Sequence, residues 1–237
     1  MTASEKPLVS VLIGAFDAAP YLGEAIESVI GQSYRPLELV VVDDGSTDGT
    51  GDIARRYGDS LTYVRQENAG NGAARNRAVE HAAGGLFAFL DADDRFLRHK
   101  LDLQWGALEA DPGLEMVFGH VREFVSPELT ESERSSIRAP NPPAPWPAPN
   151  LMLIRREAFL RVGPFAETLR VGVTVDWYAR ALEAGVRGVV LPEVVLERRL
   201  HLGNNGLRER DSRSQYLHVL KASLDRRRSR ADDLDRP

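Results

Sequence analysis

The stretch Leu39-Val-Val-Val-Asp-Asp-Gly-Ser-Thr-Asp48 joins a run of apolar, mostly β-branched residues to a turn of helix-capping residues. A run that is apolar at every position predicts a strand buried on both faces, as in a parallel sheet, and the capping residues predict that a helix follows. The same order occurs earlier in the chain. There the run Val9–Ile13 precedes the loop Gly14–Asp17, and apolar residues recur at helical spacing between Tyr21 and Ile30.

The strand-loop-helix order continues through the first half of the chain. It predicts further helices over 49–57 and 72–83 and further strands over 61–64 and 86–90, the last of them ending in Asp91-Ala92-Asp93-Asp94. Strands that alternate with helices predict an α/β domain with a mainly parallel, Rossmann-like central sheet flanked by helices. In such a sheet the ligand crevice lies at the carboxyl ends of the strands.

The second half departs from this rhythm and predicts a smaller subdomain. A helix whose apolar face includes Leu97 and Leu108 comes first, and a strand near 116–118 follows it. The stretch 126–150 then has no periodicity and contains seven of the 14 prolines, so it is expected to be either a functional lid or disordered. Ordered structure is predicted to resume at 151–154, and strands are predicted around Val189 and Val194. Helices are predicted to end near Gly163, to extend from about Asp176 to Gly185, and to form in the amphipathic segment after Leu207.

The composition excludes several classes of protein. Among 237 residues, 30 are basic and 35 are acidic, and the resulting charge of −5 argues against a general nucleic-acid binder. The absence of cysteine excludes disulfides, zinc–thiolate sites, iron–sulfur clusters and a thiol nucleophile. No run of about 18 apolar residues predicts a membrane span, and the first residues lack the apolar core of a signal peptide. A cytoplasmic protein is therefore expected.

Carboxylates directly follow three of the predicted strands, at Asp17, at Asp43-Asp44 and at Asp91–Asp94. Each cluster taken alone is typical of a turn or a helix cap. Three clusters at one edge of a parallel sheet would place several carboxylates in one crevice, where a divalent cation and a phosphorylated ligand would offset their repulsion. In an extended segment Asp91 and Asp93 point the same way, and oxygen ligands select Mg²⁺ or Mn²⁺.

Two other phosphate-binding motifs do not fit the sequence. Gly70-Asn-Gly-Ala-Ala-Arg75 follows a strand and opens a helix, but Arg75 stands where a dinucleotide-binding loop has its third glycine. The first strand lacks a glycine loop, and no GxxxxGK[ST] sequence occurs. Both a dinucleotide site and a P-loop are thus disfavoured.

Four motifs together resemble those of family 2 glycosyltransferases, which are inverting enzymes of the GT-A fold. They are Val9–Ile13 with Phe16-Asp17, Val41-Val-Asp-Asp-Gly-Ser-Thr-Asp-Gly-Thr50, Asn68-Ala-Gly-Asn-Gly-Ala-Ala-Arg-Asn-Arg77 and Phe89-Leu-Asp-Ala-Asp-Asp94. Each motif alone is only suggestive, whereas four in this order and spacing are very specific. The resemblance covers residues 8–120 closely and extends more loosely to about 205.

The resemblance implies one GT-A domain over 1–205, followed by a terminal helix and charged tail over 206–237. The domain would have a nucleotide-binding half at 1–115 and an acceptor-binding half at 116–205. The implied activity is metal-dependent, inverting transfer of a hexosyl group from a nucleoside-diphosphate sugar, with UDP as the expected nucleotide, to an acceptor hydroxyl. The acceptor stays open between a free saccharide, a lipid-linked saccharide, a small molecule and a peptide.

The same resemblance implies which residues bind the nucleotide. The loop Gly14-Ala15-Phe16-Asp17 would hold the base, with Phe16 stacked on uracil. Asp44 would accept a hydrogen bond from the ring N–H of the base, and Arg75 would lie by the base and the phosphates. These positions match the family's motifs residue by residue.

A metal site is implied at the end of the fourth predicted strand. Asp91, with Ala92 beside it, would face the ribose, and Asp93 would bind the Mn²⁺ or Mg²⁺ that bridges the diphosphate. His201, in Arg199-Leu-His-Leu-Gly203, resembles a late histidine that completes the metal site in some family members. A lone histidine between two leucines is also typical of a structural side chain.

A catalytic base is implied in the second half. Asp176 matches the aspartate of a Glu-Asp pair that supplies the base in this family, although Val175 stands in place of the glutamate. The alternative for Asp176 is a helix N-cap. Trp146 and Trp177 are candidates to stack on the apolar face of the acceptor; the alternative for both is a packed indole, which is the favoured interpretation for Trp177.

Two other functions stay open. A nucleotidyltransferase would share the carboxylates, the metal and a related sheet, but it needs a basic glycine-rich loop near the first strand, where Gly14–Asp17 supplies no lysine or arginine. A catalytically degenerate sugar-nucleotide-binding protein is compatible with Val175. The terminal run Arg226-Arg227-Arg228 is typical of a solvated face or a homodimer contact and is compatible with peripheral contact to an anionic membrane.

Overall fold

The computed structural model describes residues 5–145, 148–169 and 172–204, together with Lys221 and Arg226. Its strands are β1 Val9–Ala15, β2 Leu37–Asp43, β3 Thr62–Arg65, β4 Leu86–Asp91, β5 Arg95–Phe96, β6 Met116–Val125, β7 Ala144–Pro145, β8 Leu153–Arg155 and β9 Gly188–Leu200. Its helices are α1 Leu22–Ile30, α2 Thr50–Arg55, α3 Asn71–Glu80, α4 Lys100–Ala110, α5 Glu131–Ser136, α6 Arg156–Val162 and α7 Val173–Glu183.

One mixed sheet holds the nine strands of the described residues, in the order β3-β2-β1-β4-β8-β6-β9-β5, with β7 paired to β6. Strands β1 to β4 are parallel, and each crossover between them carries a helix. In the second half β8 is antiparallel to β4 and β6, β5 is antiparallel to β9, and β6 and β9 are parallel. The predicted α/β class is confirmed, and the all-parallel part is confined to the first four strands.

The carboxyl ends of β1, β2 and β4 lie side by side. Ala15 pairs in register with Asp43, and Gly14 pairs with Asp91. Helix α3 lies close above β1, since a Cβ built on Gly14 would stand 3.1 Å from Cβ of Ala74. The acidic segments therefore meet at the sheet edge where the sequence predicts the ligand crevice.

Two boundaries in the second half differ from the prediction. Helix α7 begins at Val173 rather than at about Asp176, and Gly172, in the left-handed conformation with φ of 80°, precedes it. The two strands expected around Val189 and Val194 are the single strand β9. Pro192 between them lies at an irregularity in the β6–β9 register, where a residue without an N–H does not end the strand.

The stretch 126–150 contains regular structure. Helix α5 begins with a capping box, in which Thr130 and Glu133 exchange hydrogen bonds between side chain and backbone, and β7 pairs antiparallel with β6. Trp146 and most of the predicted terminal helix lie outside the described residues. Within the parts of the chain that the structure describes, no helix has the length and apolar character to span a membrane.

An aromatic cluster joins α6 and α7 to the sheet. Phe159 of α6 stacks on Trp177 of α7, with ring centroids 5.3 Å apart and an interplanar angle of 18°. Phe165 packs edge-on against Phe89 of β4, with centroids 5.3 Å apart. Each such pair contributes about 0.5–1.5 kcal/mol beyond the burial of its area. The cluster therefore fixes the first turn of α7, which contains Asp176, relative to β4.

Candidate active site

The loop after β1 is built around Asp17, which adopts a positive φ of 45°. This conformation is uncommon for residues other than glycine, and aspartate tolerates it better than most. Oδ1 of Asp17 accepts a hydrogen bond from the N–H of Thr47 at 2.8 Å, and the N–H of Asp17 donates to Oγ of Ser46 at 3.0 Å. The turn leaves Phe16 51% exposed beside the carboxyl edge of the sheet, so an aromatic face is open for stacking.

Asp44 is buried and binds the loop that leads into α3. Its Oδ1 accepts hydrogen bonds from Nε2 of Gln66 at 2.7 Å and from the N–H of Ala69 at 2.9 Å. Its Oδ2 accepts one from the N–H of Gly70 at 2.8 Å. Asp44 therefore organises the start of α3 and presents an already hydrogen-bonded carboxylate at the sheet edge.

Asp43 is fully buried and also binds neighbouring loop groups. It accepts hydrogen bonds from the N–H of Ser46 at 2.8 Å, the hydroxyl of Tyr63 at 2.8 Å and Nη1 of Arg65 at 3.0 Å. Burial alone would raise the pKa of Asp43, but these hydrogen bonds and the charge of Arg65 lower it below the ordinary value. The expectation that one cation offsets the charge of all three acidic clusters is wrong for the first two, because their oxygens already accept hydrogen bonds from neighbouring loops and from β3.

The third acidic cluster, Asp91–Asp94, forms a turn and not the extended segment that the sequence predicts. β4 ends at Asp91, and the N–H of Asp94 donates to the carbonyl of Asp91 at 3.1 Å. The side chains of Asp91 and Asp93 therefore meet different partners, which corrects the extended geometry predicted for them. Oδ1 of Asp91 accepts a hydrogen bond from Nη2 of the buried Arg75 at 2.5 Å, and the Arg75 guanidinium lies over the ring of Phe165 at 5.6 Å.

Asn150 belongs to this site and was missed in the sequence. Its Nδ2 donates to Oδ2 of Asp91 at 3.1 Å and to Oδ2 of Asp94 at 2.9 Å, so one amide bridges two carboxylates. Its Oδ1 is buried and has no hydrogen-bond partner among the described residues. Burial raises the pKa of Asp94 well above its ordinary value, and the charges of Asp93 and Asp91 raise it further. Only its place at the end of the proline-rich stretch, next to a predicted strand, could have drawn attention to Asn150.

Arg199 holds the backbone of the same turn and was also missed. Its side chain is 1% exposed, and its Nε donates to the carbonyl of Asp93 at 3.1 Å. Its backbone N–H donates to Oδ1 of Asp94 at 3.0 Å, and its Nη2 donates to Oε2 of Glu24 at 2.6 Å. The buried guanidinium therefore ties β9 to the turn after β4.

Asp93 and His201 form the pair that the resemblance implies for a metal. Nε2 of His201 lies 3.0 Å from Oδ2 of Asp93, and the Tyr21 ring packs against the imidazole with centroids 4.6 Å apart. The N–H of Gly203 donates to Nδ1 of His201 at 3.2 Å. In the neutral ring Nε2 therefore carries the proton and donates it to Asp93.

The pair fits a divalent cation. A carboxylate oxygen and an imidazole nitrogen that lie 3.0 Å apart, as Oδ2 and Nε2 do here, could act together as ligands of one ion. Binding would move the ring proton to Nδ1 and break the contact with Gly203. Among the described residues no group of three or more acidic or histidine side chains is arranged to hold a metal. Asp93 and His201 supply one carboxylate oxygen and one imidazole nitrogen as potential ligands.

Asp176 lies in the first turn of α7 and is 8% exposed. Nε of Arg180 donates to its Oδ2 at 2.9 Å, and Nη1 of Arg226 lies 3.7 Å from its Oδ1. Gly172 occupies the N-cap position, so the alternative of Asp176 as an N-cap is wrong. The side chain is thus a buried, ion-paired carboxylate in the first turn of α7.

Trp177 is 2% exposed, and its Nε1 donates to the carbonyl of Gly163 at 2.9 Å. Because the indole is buried against Phe159 and Phe165, the prediction that Trp177 stacks on an acceptor is wrong, and the packed-indole alternative is correct. Trp146 lies outside the described residues.

The sequence model of the family described as glycosyl transferase family 2 matches residues 10–166 of the chain. The chain belongs to this family. The match includes β1 to β4, their three helices and the turn with Asp91 and Asp93. It ends before α7.

Curated relatives share the family over part of their own length. A glycosyltransferase of Rickettsia felis is 28% identical over 237 aligned residues, which include 92% of this chain and 38% of the relative. The glycosyltransferase AglE of Haloferax volcanii is 33% identical over 205 aligned residues, which include 77% of this chain and 64% of AglE. The chain therefore spans less than two thirds of the length of these relatives.

Solved structures share the fold. The mannosyltransferase PcManGT of Pyrobaculum calidifontis, in complex with GDP-Man and Mn²⁺, is 26% identical with a TM-score of 0.69, covering 94% of this chain and 65% of that protein. TarS of Staphylococcus aureus, residues 1–349 in complex with UDP, is 21% identical with a TM-score of 0.66, covering 81% of this chain and 60% of that protein. The chain thus has the GT-A fold.

Proposed function

We propose that this family 2 glycosyltransferase transfers a hexosyl group, with inversion, from a UDP-sugar to an acceptor hydroxyl in a reaction that depends on Mn²⁺ or Mg²⁺. The observation that carries the proposal is the pair formed by Asp93 and His201, 3.0 Å apart at the carboxyl edge of the sheet. The complexes of PcManGT with GDP-Man and Mn²⁺ and of TarS with UDP support a nucleotide-sugar donor.

The nucleotide is proposed to bind along the ends of β1, β2 and β4. The exposed ring of Phe16 stacks on the base, the remainder of the loop Gly14-Ala15-Phe16-Asp17 encloses it, and Asp44 hydrogen-bonds its edge. Arg75, paired with Asp91 at 2.5 Å, directs a guanidinium towards the ribose and phosphates, where Ala92 leaves room beside it. UDP rather than GDP is proposed on the resemblance alone.

The cation is proposed to bind between Asp93 and His201. When bound, it neutralises the negative charge that develops on the departing nucleoside diphosphate. The chain's own part is to hold Asp93 in place, and the Arg199 contact to the Asp93 carbonyl and the Asn150 bridge to Asp91 and Asp94 provide this restraint.

Asp176 is proposed to be the general base. Its carboxylate takes the proton of the acceptor hydroxyl while that oxygen attacks the anomeric carbon from the side opposite the diphosphate. Placement in the first turn of α7, fixed by the aromatic cluster, supports this role. Val175 is 42% exposed at the position of the family's glutamate and leaves Asp176 as the carboxylate of this pair.

The domain is proposed to consist of a nucleotide-binding half, 1–115, and an acceptor-binding half, 116–205. The proposed acceptor is a free or lipid-linked saccharide, a small molecule or a peptide. The stretch 126–150 is proposed to line the acceptor side. The cytoplasm remains the proposed location. A nucleotidyltransferase is not proposed, because the loop after β1 has no basic residue for a triphosphate.

Hydrolysis of a panel of UDP-sugars with Mn²⁺ tests the base. Asp176→Asn is expected to lower turnover by about 100-fold or more, because general-base catalysis contributes about 10²–10⁴-fold. The matched control is Asp52→Asn, which removes an exposed carboxylate on α2 and should leave turnover unchanged. Wild-type turnover in Asp176→Asn would overturn the base assignment, and the absence of any UDP or UDP-sugar binding would overturn the proposed function.

A further inference from the structure

Arg226, in the arginine run of the terminal segment, contacts the helix that carries the proposed base. We propose that Arg226 is a positioning residue, which holds the Asp176 carboxylate in the orientation that proton transfer requires. The inference rests on the proposed function, because it gives Arg226 a role through Asp176.

The anchor of Arg226 is Glu183. Nε of Arg226 donates to Oε2 of Glu183 at 2.7 Å, and Nη2 lies 3.4 Å from Oε1, so the guanidinium and the carboxylate meet as two forks. The side chain of Glu183 is 7% exposed, which makes this a partly desolvated ion pair. Asp176 and Glu183 are seven residues apart, about two helical turns, and so lie on one face of α7.

The remaining nitrogen of Arg226 faces the proposed base. With Nε and Nη2 engaged by Glu183, Nη1 stands 3.7 Å from Oδ1 of Asp176. At 3.7 Å this contact is looser than the anchor, so it orients the oxygen by charge.

The other oxygen of Asp176 is held from the opposite direction. Nε of Arg180 donates to Oδ2 at 2.9 Å. Arg180 is itself fixed, because its Nη1 donates to the carbonyl of Val162 and its Nη2 to that of Pro164. Each carboxylate oxygen thus faces a separate anchored guanidinium, and rotation of the Asp176 side chain weakens both contacts.

This geometry argues against a solvated face, which is one of the interpretations of the arginine run 226–228. A solvated face would leave Arg226 without a partner, whereas its side chain is 34% exposed and bound to two carboxylates of α7. A positioning role predicts that loss of Arg226 lowers kcat and leaves donor binding unchanged, because the proposed donor site lies at the carboxyl ends of β1, β2 and β4.

The test compares Arg226→Gln with the wild type in hydrolysis of the UDP-sugar panel with Mn²⁺. We expect kcat to fall about tenfold, since misplacement of a catalytic group by about 1 Å costs up to about 100-fold. KM for the sugar nucleotide and Kd for UDP should not change. Arg226→Lys keeps the charge and should recover part of the loss. Arg227→Gln is the matched control from the same run and should match the wild type.

The double variant separates this inference from the proposed function. In an Asp176→Asn background, Arg226→Gln should cause no further loss, because its effect passes through Asp176. The inference is overturned if Arg226→Gln keeps the wild-type kcat, if it lowers kcat by the same factor in both backgrounds, or if Arg227→Gln has an equal effect. Wild-type turnover in Asp176→Asn would instead remove the base assignment and the inference with it. A urea-unfolding cycle over the same four proteins should show that the two substitutions are coupled, and additive effects there would also contradict the contact.

Discussion

Asn150→Ala is expected to lower the free energy of unfolding by about 2–3 kcal/mol. The substitution removes two hydrogen bonds to carboxylates, at 2.9 Å to Asp94 and 3.1 Å to Asp91. Hydrogen bonds to charged groups contribute about 1.5–3 kcal/mol each, so their loss costs about 3–6 kcal/mol. The substitution also removes the buried Oδ1, which has no partner among the described residues, and this returns about 1–3 kcal/mol. At the middle of both ranges, the difference is a net loss of about 2–3 kcal/mol.

Urea unfolding at pH 7 without added metal measures this loss. Asn141→Ala is the matched control, because Asn141 lies in the same stretch and is exposed. Asn150→Asp keeps the shape but replaces the donor with a third carboxylate beside Asp91 and Asp94, so it should be less stable than Asn150→Ala. The reasoning would be refuted if Asn150→Ala stayed within about 0.5 kcal/mol of the wild type, or if Asn150→Asp were as stable as the wild type.

Two further predictions concern the base-binding loop and the core. Phe16→Ala should weaken UDP binding about tenfold in calorimetry, because stacking on a base contributes about 1–3 kcal/mol. The control Leu160→Ala changes another exposed apolar residue and should leave UDP binding unchanged. Equal effects of the two substitutions would contradict the stacking role. Lys100 is fully buried, its Nζ donates to Gln104 at 2.6 Å, and burial lowers its pKa well below the ordinary value. At pH values between the pKa of Lys100 in the folded protein and its ordinary pKa near 10.5, the unfolded chain binds more protons than the folded protein. The free energy of unfolding of the wild type, measured in urea, should therefore rise with pH over this range. Lys100→Met should be more stable than the wild type at pH 7 and lose that advantage towards pH 10, and parallel pH dependences would contradict this.

Periodicity and strand-end placement were enough to predict the first half of the molecule. Apolar runs flanked by capping residues predict β1 to β4 and the helices between them, and the parallel arrangement places Asp91 and Asp93 at the ligand edge. His201 is a different case. Only the family resemblance linked it to Asp93, 108 residues away, and the structure brings the two side chains to 3.0 Å.

Other parts of the site depend on contacts that local sequence does not encode. Asp44 and Asp93 both follow strands, and only the fold shows that one binds the loop before α3 while the other faces His201. Asn150 ends a stretch without periodicity, and its bridge to Asp91 spans 59 residues. Arg226 belongs to a run that is typical of a solvated face, and its partners on α7 lie 43 and 50 residues earlier in the chain.

The central claim, that Asp93 and His201 hold a cation for the nucleoside diphosphate, is tested most directly by calorimetric titration of UDP with and without Mn²⁺. The wild type is expected to bind UDP at least tenfold more tightly with Mn²⁺. Asp93→Ala is expected to bind UDP equally in both conditions, at the affinity of the wild type without Mn²⁺. Equal affinity of the wild type with and without Mn²⁺, or an undiminished Mn²⁺ effect in Asp93→Ala, would contradict the claim.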